Sequence, residues 1–172
     1  MNQESALGIR LLALDVDGVL TDGCVSYTSA GEELKSFNIK DGVGIKLIQA
    51  AGVEVVIITG RVSPMVERRA KELGIKTIVQ GREDKFNALV ELCELRAIEL
   101  TACAYMGDDL PDLTAIRAAG LGLSTADAAD KVRSAADWCA SKPGGKGAVR
   151  EACEALLDAR KEREEQESKL YG

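Results

Sequence analysis

Three short segments place acidic, hydroxyl and glycine residues directly after apolar runs of the chain. These segments are DVDG (residues 15–18), TGR (59–61) and GDD (107–109). Two carboxylates two residues apart on an extended chain, such as Asp15 and Asp17, repel each other unless a cation compensates them. We therefore interpret Asp15, Asp17 and Asp108 as ligands of a magnesium ion, because this metal prefers oxygen ligands. Asp109 and Asp112, in the same acidic loop as Asp108, are expected to support these ligands or to cap a helix.

A second group of residues suits a phosphate. Thr59 offers a hydroxyl, Gly60 has an N–H that an anion can approach closely, and Lys85 offers an ammonium near the start of a helix. Taken singly, Gly60 is also typical of an ordinary strand-to-helix turn, and Lys85 of a solvated surface charge. Because all three follow apolar runs as the aspartates do, we expect them to bind phosphate beside the metal.

The apolar runs themselves indicate the fold. They cover residues 9–14, 53–58, 76–79, 101–106 and 120–123, and helical stretches lie between them. Nearly continuous apolar runs are typical of strands that are covered on both faces. Strands that alternate with helices predict an α/β fold with a parallel, doubly wound, Rossmann-like sheet. Ligands of such a sheet bind at the carboxyl ends of its strands, which is where the polar segments lie.

Three stretches fall outside this alternation. Residues 24–27 and 34–37 flank a turn and predict a β-hairpin that projects from the sheet. The glycine-rich segment 144–147 does not fit the nucleotide-binding P-loop pattern, and we interpret it as a flexible joint. Residues 1–160 are expected to form a single domain. Residues 161–172 are expected to form a charged tail that continues the last helix or frays.

Composition excludes several classes of function. The chain has 172 residues, a net charge of −6 and no histidine. The negative charge argues against a nucleic-acid partner, and no apolar run is long enough to cross a membrane. The first ten residues lack the features of a signal peptide, so a cytoplasmic location is expected. Without histidine, acid–base chemistry near neutral pH falls to carboxylates, lysine, cysteine or tyrosine, which favours the aspartates.

Together, the motifs resemble those of the haloacid dehalogenase superfamily of phosphohydrolases. They stand in the order of that superfamily: DVDGV at 15–19, TGR at 59–61, Lys85, and GDD at 107–109 followed by Asp112. The segments DVDGVLTDG, FNIKDGVGIKLI, ITGR, QGREDK, MGDDLPDL and GGKGAVREACE are similar to the 3-deoxy-D-manno-octulosonate 8-phosphate phosphatase group. The resemblance implies a magnesium-dependent phosphomonoesterase of lipopolysaccharide biosynthesis that acts on a small phosphorylated sugar acid.

The resemblance also implies a mechanism and an assembly. Asp15 is the expected nucleophile, which forms an aspartyl-phosphate, and Asp17 is the expected general acid–base. Magnesium is expected on the carboxylates of Asp15 and Asp108 and on the backbone carbonyl of Asp17. In that superfamily, cap domains are inserted after the first motif or between the second and the third. Here the first of these places holds only the hairpin, and residues 61–84 hold one helix and one strand. We therefore expect no cap domain, and a homotetramer formed through the hairpin.

The sequence leaves three questions open: which residues contact the sugar, which sugar acid is the substrate, and whether the protein is a receiver module instead of an enzyme. Arg61, Arg68 or Arg69 could meet a sugar carboxylate, although a solvated helix face is expected for at least one of the last two. Sialic-type 9-phosphates are an alternative substrate, because similar capless enzymes act on them. A phosphate-accepting receiver module is an alternative function. The motif order disfavours a receiver, because its phosphoacceptor follows its third strand, where this chain has Gln80 and Gly81.

Overall fold

The chain alternates between strands and helices over most of its length, and the computed structural model describes residues 1–172. The strands are β1 (Leu11–Leu14), β2 (Ser26–Tyr27), β3 (Glu33–Leu34), β4 (Glu54–Ile58), β5 (Thr77–Val79), β6 (Cys103–Gly107), β7 (Leu121–Ser124) and β8 (Trp138–Cys139). The helices are α1 (Gln3–Gly8), α2 (Ile39–Ala50), α3 (Pro64–Leu73), α4 (Lys85–Arg96), α5 (Leu113–Ala118), α6 (Asp130–Ala135), α7 (Ala148–Arg160) and α8 (Arg163–Tyr171). Two 3₁₀ helices, Leu100–Ala102 and Leu110–Asp112, precede β6 and α5. No helix combines the length and the apolar character that crossing a membrane requires.

Six strands form one parallel sheet, in the order β5-β4-β1-β6-β7-β8, whereas β2 and β3 form a separate antiparallel hairpin. Numbered along the chain, the sheet strands run 3-2-1-4-5-6, which is the doubly wound order of Rossmann folds. The register pairs Leu14 of β1 with Ile57 of β4 and with Met106 of β6. The three central strands therefore end together at one edge. The predicted fold class is confirmed.

Side chains of the central strands alternate between two apolar cores. Leu12 and Leu14 belong to the core under α1, α2, α3 and α7, whereas Leu11 and Ala13 belong to the core under α4, α5 and α6. All four side chains are fully buried. Burial on both faces explains why the strand reads as a continuous apolar run instead of an alternating one.

The end of the chain differs from the prediction that residues 161–172 continue the last helix or fray. Lys161 adopts a left-handed conformation, with φ of 60°, and this ends α7. The chain then forms α8, which packs on α2 and buries Gln166. Arg163 holds the two helices together, because it pairs with carboxylates on both α7 and α8. Arg163 therefore joins two helices, whereas Glu164, Glu165 and Lys169 of the same segment are exposed.

The glycine-rich segment 144–147 is also not the flexible joint that its composition suggested. The N–H of Gly145 donates to the Val19 carbonyl at 3.0 Å, and the N–H of Gly144 donates to the Asp127 carboxylate at 3.0 Å. A Cβ at either glycine would collide with the backbone that follows β1. The segment packs tightly under the loop that carries the first aspartates, and only glycine permits that approach.

Helix α7 is fixed to α2 by two contacts. The buried Asp41 carboxylate of α2 accepts a hydrogen bond from the Arg150 N–H, in the first turn of α7, at 2.8 Å. A carboxylate at this place satisfies a free backbone donor and suits the positive end of the helix dipole. One turn further along α2, a Cβ on Gly44 would lie 2.8 Å from the Arg150 Cα, so the two helix backbones approach closely here.

We predict that Gly44→Ala destabilises the protein. Overpacking at a backbone contact costs about 1–3 kcal/mol, which exceeds the gain of somewhat under about 1 kcal/mol from replacing a helical glycine. Urea unfolding of the variant measures the difference. Gly8→Ala is the matched control, because nothing lies within 4 Å of a Cβ there. Equal stability of the two variants would contradict the close packing of α2 on α7.

Candidate active site

The aligned strand ends bring three carboxylates and one ammonium together. Asp15 follows β1, Asp108 follows β6, and Asp112 ends the 3₁₀ helix after it. Oxygen atoms of these three carboxylates lie within 4.8 Å of one another. Lys85, the first residue of α4, places its Nζ 2.8 Å from Asp15 Oδ2 and 2.7 Å from Asp112 Oδ1. We call these four residues the acidic cluster.

Electrostatics of the acidic cluster show an excess of negative charge. Burial raises the pKa of Asp15 to about 7, and the charge of Asp112 adds to this, although Lys85 opposes it. Burial raises the pKa of Asp108 to about 7 as well, again with a contribution from Asp112. Burial would lower the pKa of Lys85, but its two carboxylate partners outweigh this and raise it. One ammonium does not balance three carboxylates, and a hard divalent cation would.

Asp112 supports the other members of the acidic cluster. Its Oδ1 accepts hydrogen bonds from Lys85 and from the Tyr105 hydroxyl, both at 2.7 Å. Its Oδ2 accepts from the N–H groups of Asp108 at 3.1 Å and Asp109 at 3.3 Å. This carboxylate therefore fixes both the lysine and the loop that carries Asp108, as expected of a supporting residue. Asp109 itself is exposed, and its side chain caps the 3₁₀ helix by accepting from the Leu110 N–H at 2.8 Å.

Tyr105 was not recognised from the sequence. It lies within the apolar run of β6 and is fully buried. Burial raises its pKa well above the usual range, so the hydroxyl stays protonated and donates to Asp112. The one available signal was that a buried tyrosine hydroxyl needs a hydrogen-bond partner, and this does not identify the partner.

Two glycines of the motifs allow these close approaches. Gly18 has φ of 88°, and a Cβ there would collide with the Asp108 carboxylate. A Cβ at Gly107 would collide with the Asp112 side chain. The glycines in DVDG and GDD are therefore required by the packing of the acidic cluster.

Asp17 points to a different set of partners. Its carboxylate contacts Lys35 Nζ and lies 3.8 Å from Arg61 Nε, and it is not part of the acidic cluster. The expectation that the carboxylates of Asp15 and Asp17 converge on one cation is therefore corrected, because the two side chains have separate cationic partners. Lys35 comes from the hairpin and was not predicted. Arg61 also donates to Glu33 at 2.8 Å, so it ties the hairpin to the end of β4.

Thr59 and Gly60 lie at the same edge, between β4 and β5. The Thr59 N–H donates to the Val79 carbonyl at 2.9 Å, and the Thr59 carbonyl accepts from the Arg82 N–H at 3.2 Å. These bonds fix the backbone of the turn. The Glu83 carboxylate lies beside Gly60, where a Cβ would come within 2.8 Å of it. Both residues lie directly after β4, at the strand end where the sequence predicted them. Their contact with phosphate stays a prediction.

The chain is similar to known hydrolases in both its sequence and its fold. The haloacid dehalogenase-like hydrolase family matches residues 77–151. The 3-deoxy-D-manno-octulosonate 8-phosphate phosphatase of Escherichia coli (strain K12) is 46% identical over 152 residues, which are 88% of this chain and 81% of that protein.

Two solved structures are similar over nearly the whole chain. The first is the 3-deoxy-D-manno-octulosonate 8-phosphate phosphatase of Moraxella catarrhalis, solved with a magnesium ion, a phosphate ion and a KDO molecule. It has a TM-score of 0.95 and 47% identity, over 97% of this chain and 96% of that one. The second is the cobalt-bound deoxy-D-mannose-octulosonate 8-phosphate phosphatase of Haemophilus influenzae, with a TM-score of 0.88 and 40% identity, over 92% and 93%. With this identity and coverage, the chain belongs to the 3-deoxy-D-manno-octulosonate 8-phosphate phosphatase family, within the haloacid dehalogenase-like hydrolases.

Proposed function

We propose that this protein is a magnesium-dependent phosphomonoesterase that hydrolyses 3-deoxy-D-manno-octulosonate 8-phosphate to the free sugar acid and phosphate. The observation that carries the proposal is the acidic cluster, in which Lys85 contacts the carboxylate of Asp15 at the end of β1. A carboxylate beside a buried cation is suited to attack phosphorus while the transferred group is neutralised. The relatives from M. catarrhalis and E. coli support this substrate.

In the proposed reaction, an Asp15 carboxylate oxygen forms a bond to phosphorus as the bond from phosphorus to the sugar oxygen breaks. The electron pair stays on the sugar oxygen, which takes a proton from the Asp17 carboxyl group. Asp17 then removes a proton from water, which attacks the aspartyl-phosphate and releases phosphate and the Asp15 carboxylate. Thr59, the Gly60 N–H and Lys85 hold the phosphate oxygens through both steps.

Residues of the acidic cluster fit a magnesium ion. We assign its ligands to the carboxylates of Asp15 and Asp108 and to the backbone carbonyl of Asp17. Asp112 is a less suitable ligand, because hydrogen bonds from two backbone N–H groups, Lys85 and Tyr105 already occupy both of its oxygens. When bound, magnesium supplies positive charge that stabilises the transferred phosphoryl group.

The two alternatives receive less support. The relatives named above favour the eight-carbon sugar acid over a sialic-type 9-phosphate. A receiver module would have the strand order 2-1-3-4-5, whereas this sheet runs 3-2-1-4-5-6. A cytoplasmic location stays a prediction from the sequence.

The exposed apolar surface of the hairpin is the basis on which we propose an assembly. Val25, Tyr27 and Leu34 are large, exposed apolar side chains on or beside its two strands. A cluster of exposed apolar groups on a short, unprotected pair of strands is typical of a protein interface. We therefore propose a homotetramer in which the hairpins pack together and close the sites that no cap domain covers.

The nucleophile is tested by Asp15→Asn, assayed on p-nitrophenyl phosphate with magnesium. We expect a loss of at least about 1,000-fold in kcat, because the amide cannot attack phosphorus. Asp130→Asn, an exposed aspartate of α6, is the control and should keep the activity. Substantial turnover by Asp15→Asn would reject Asp15 as the nucleophile.

Magnesium binding is tested without an assay of activity. Magnesium at about 100 times its Kd should stabilise the metal-free protein by about 2.7 kcal/mol, which a thermal unfolding scan detects as a higher Tm. Asp108→Asn should lose most of this increase, whereas Asp130→Asn should keep it. An undiminished increase in Asp108→Asn would place the metal elsewhere.

The tetramer is tested by light scattering at micromolar concentration. We expect a mass four times that of one chain, and a smaller species for Leu34→Glu, because the added charge would be buried between hairpins. Leu95→Glu changes an exposed leucine of α4 and serves as the control. A monomeric parent protein would refute the proposed assembly.

A further inference from the structure

Each of the two aspartates that follow β1 has its own lysine. Asp15 contacts Lys85, whose side chain is 6% exposed, and Asp17 contacts Lys35, whose side chain is 3% exposed. The two lysines come from different parts of the fold, since Lys85 begins α4 and Lys35 follows β3 of the hairpin. A buried ammonium is unfavourable unless it is paired, so the contact of Lys35 with Asp17 constrains both partners.

The surroundings of Lys35 are balanced in charge, unlike the acidic cluster. Lys35 Nζ also lies 3.5 Å from Glu33, and Arg61 contacts both Glu33 and Asp17. Two cations thus face two carboxylates, and this group needs no metal to compensate it. Because the strands of the hairpin have only two residues each, their own hydrogen bonds contribute little to its position. The ion pairs attach the hairpin to the loop after β1 and to the end of β4.

The contact also determines where the Asp17 carboxyl group lies. Asp15, Asp108 and Asp112 already bring three carboxylates within 4.8 Å of one another. Asp17 is two residues from Asp15, and a fourth carboxylate there would increase the repulsion and compete for the metal. Without Lys35, the Arg61 Nε at 3.8 Å would be the nearest cation to Asp17, and the Arg61 side chain is 44% exposed. Lys35 is the better fixed of the two partners.

We propose that Lys35 is a positioning residue, which holds the Asp17 carboxyl group on the leaving-group side of the site and out of the acidic cluster. The proposal rests on the function proposed above, in which Asp17 protonates the leaving oxygen. It gives the hairpin a part in the chemistry, because this hairpin residue fixes the group that serves as acid and base.

A positioning role for Lys35 has a signature that a purely structural role lacks. A sugar alkoxide is a poor leaving group and depends on proton donation, whereas p-nitrophenolate leaves readily without a proton. Misplacing Asp17 should therefore slow hydrolysis of the sugar ester far more than hydrolysis of the aryl ester. General damage to the fold would slow both esters alike.

The experiment compares Lys35→Met, Lys35→Arg and Lys40→Met on two esters with magnesium. The alkyl ester is 3-deoxy-D-manno-octulosonate 8-phosphate. If the unmodified protein does not hydrolyse this compound, the alkyl phosphate that it hydrolyses fastest is used instead. The aryl ester is p-nitrophenyl phosphate. Lys40 is an exposed lysine five positions along the chain and is the matched control. Thermal unfolding checks each variant, and Lys35→Gln replaces Lys35→Met if the latter shows no cooperative transition.

We expect Lys35→Met to lose about 100-fold in kcat on the alkyl ester, within the range of acid–base contributions, and less than about 3-fold on the aryl ester. Lys35→Gln should show the same contrast with a smaller loss. Lys35→Arg should recover most of the activity on the alkyl ester, and Lys40→Met should match the unmodified protein. Equal losses on both esters, or no loss on either, would overturn the positioning role. An unmodified protein that cleaves neither ester would instead refute the proposed function, and the role of Lys35 with it.

Discussion

The contact of the buried Lys85 ammonium with Asp15 and Asp112 is the interaction on which the rest of the site depends. It joins the start of α4 to the end of β1 and to the 3₁₀ helix that follows β6. These two strands are neighbours in the sheet, at the point where the strand order reverses. Removing one partner of a buried ion pair costs about 3–5 kcal/mol, so the contact constrains the fold as well as the chemistry. The same packing explains Gly18, Gly107 and Tyr105. The two glycines leave room for the side chains of Asp108 and Asp112, and the Tyr105 hydroxyl donates a hydrogen bond to Asp112.

Charge is distributed unevenly between the two groups of residues at this edge of the sheet. Lys85 faces three carboxylates, and the excess of negative charge makes the acidic cluster a suitable place for a divalent cation. Asp17, Lys35, Glu33 and Arg61 form a balanced group, which holds the Asp17 carboxyl group apart from the acidic cluster. Two aspartates that are almost adjacent in the sequence thus have different environments, and different environments permit different roles.

Much of the fold and of the acidic cluster could be predicted because the signals are local. Residues 15, 59 and 108 each follow an apolar run, and parallel strands bring their carboxyl ends to one edge. Lys35 gave no such signal, because it lies in a hairpin with exposed neighbours and its partner is 18 positions away. Tyr105 lies within the apolar run of a buried strand, so nothing distinguished it from a core residue. The direction of the Asp17 side chain could not be predicted, because it depends on a contact with the hairpin. The packing of α8 was missed because it depends on Arg163, which pairs with carboxylates of α7, and composition alone cannot distinguish such pairs from solvated charges.

The central claim is that the phosphoryl group and the metal meet between Asp15, Asp108, Thr59 and Lys85. The most direct measurement is a crystal structure of the protein grown with magnesium and orthovanadate, which imitates a phosphoryl group during transfer. We expect vanadium in line with an Asp15 carboxylate oxygen, magnesium on Asp15 and Asp108, and vanadate oxygens bonded to the Thr59 hydroxyl and to Lys85 Nζ. Vanadate or magnesium bound away from Asp15 would contradict the account.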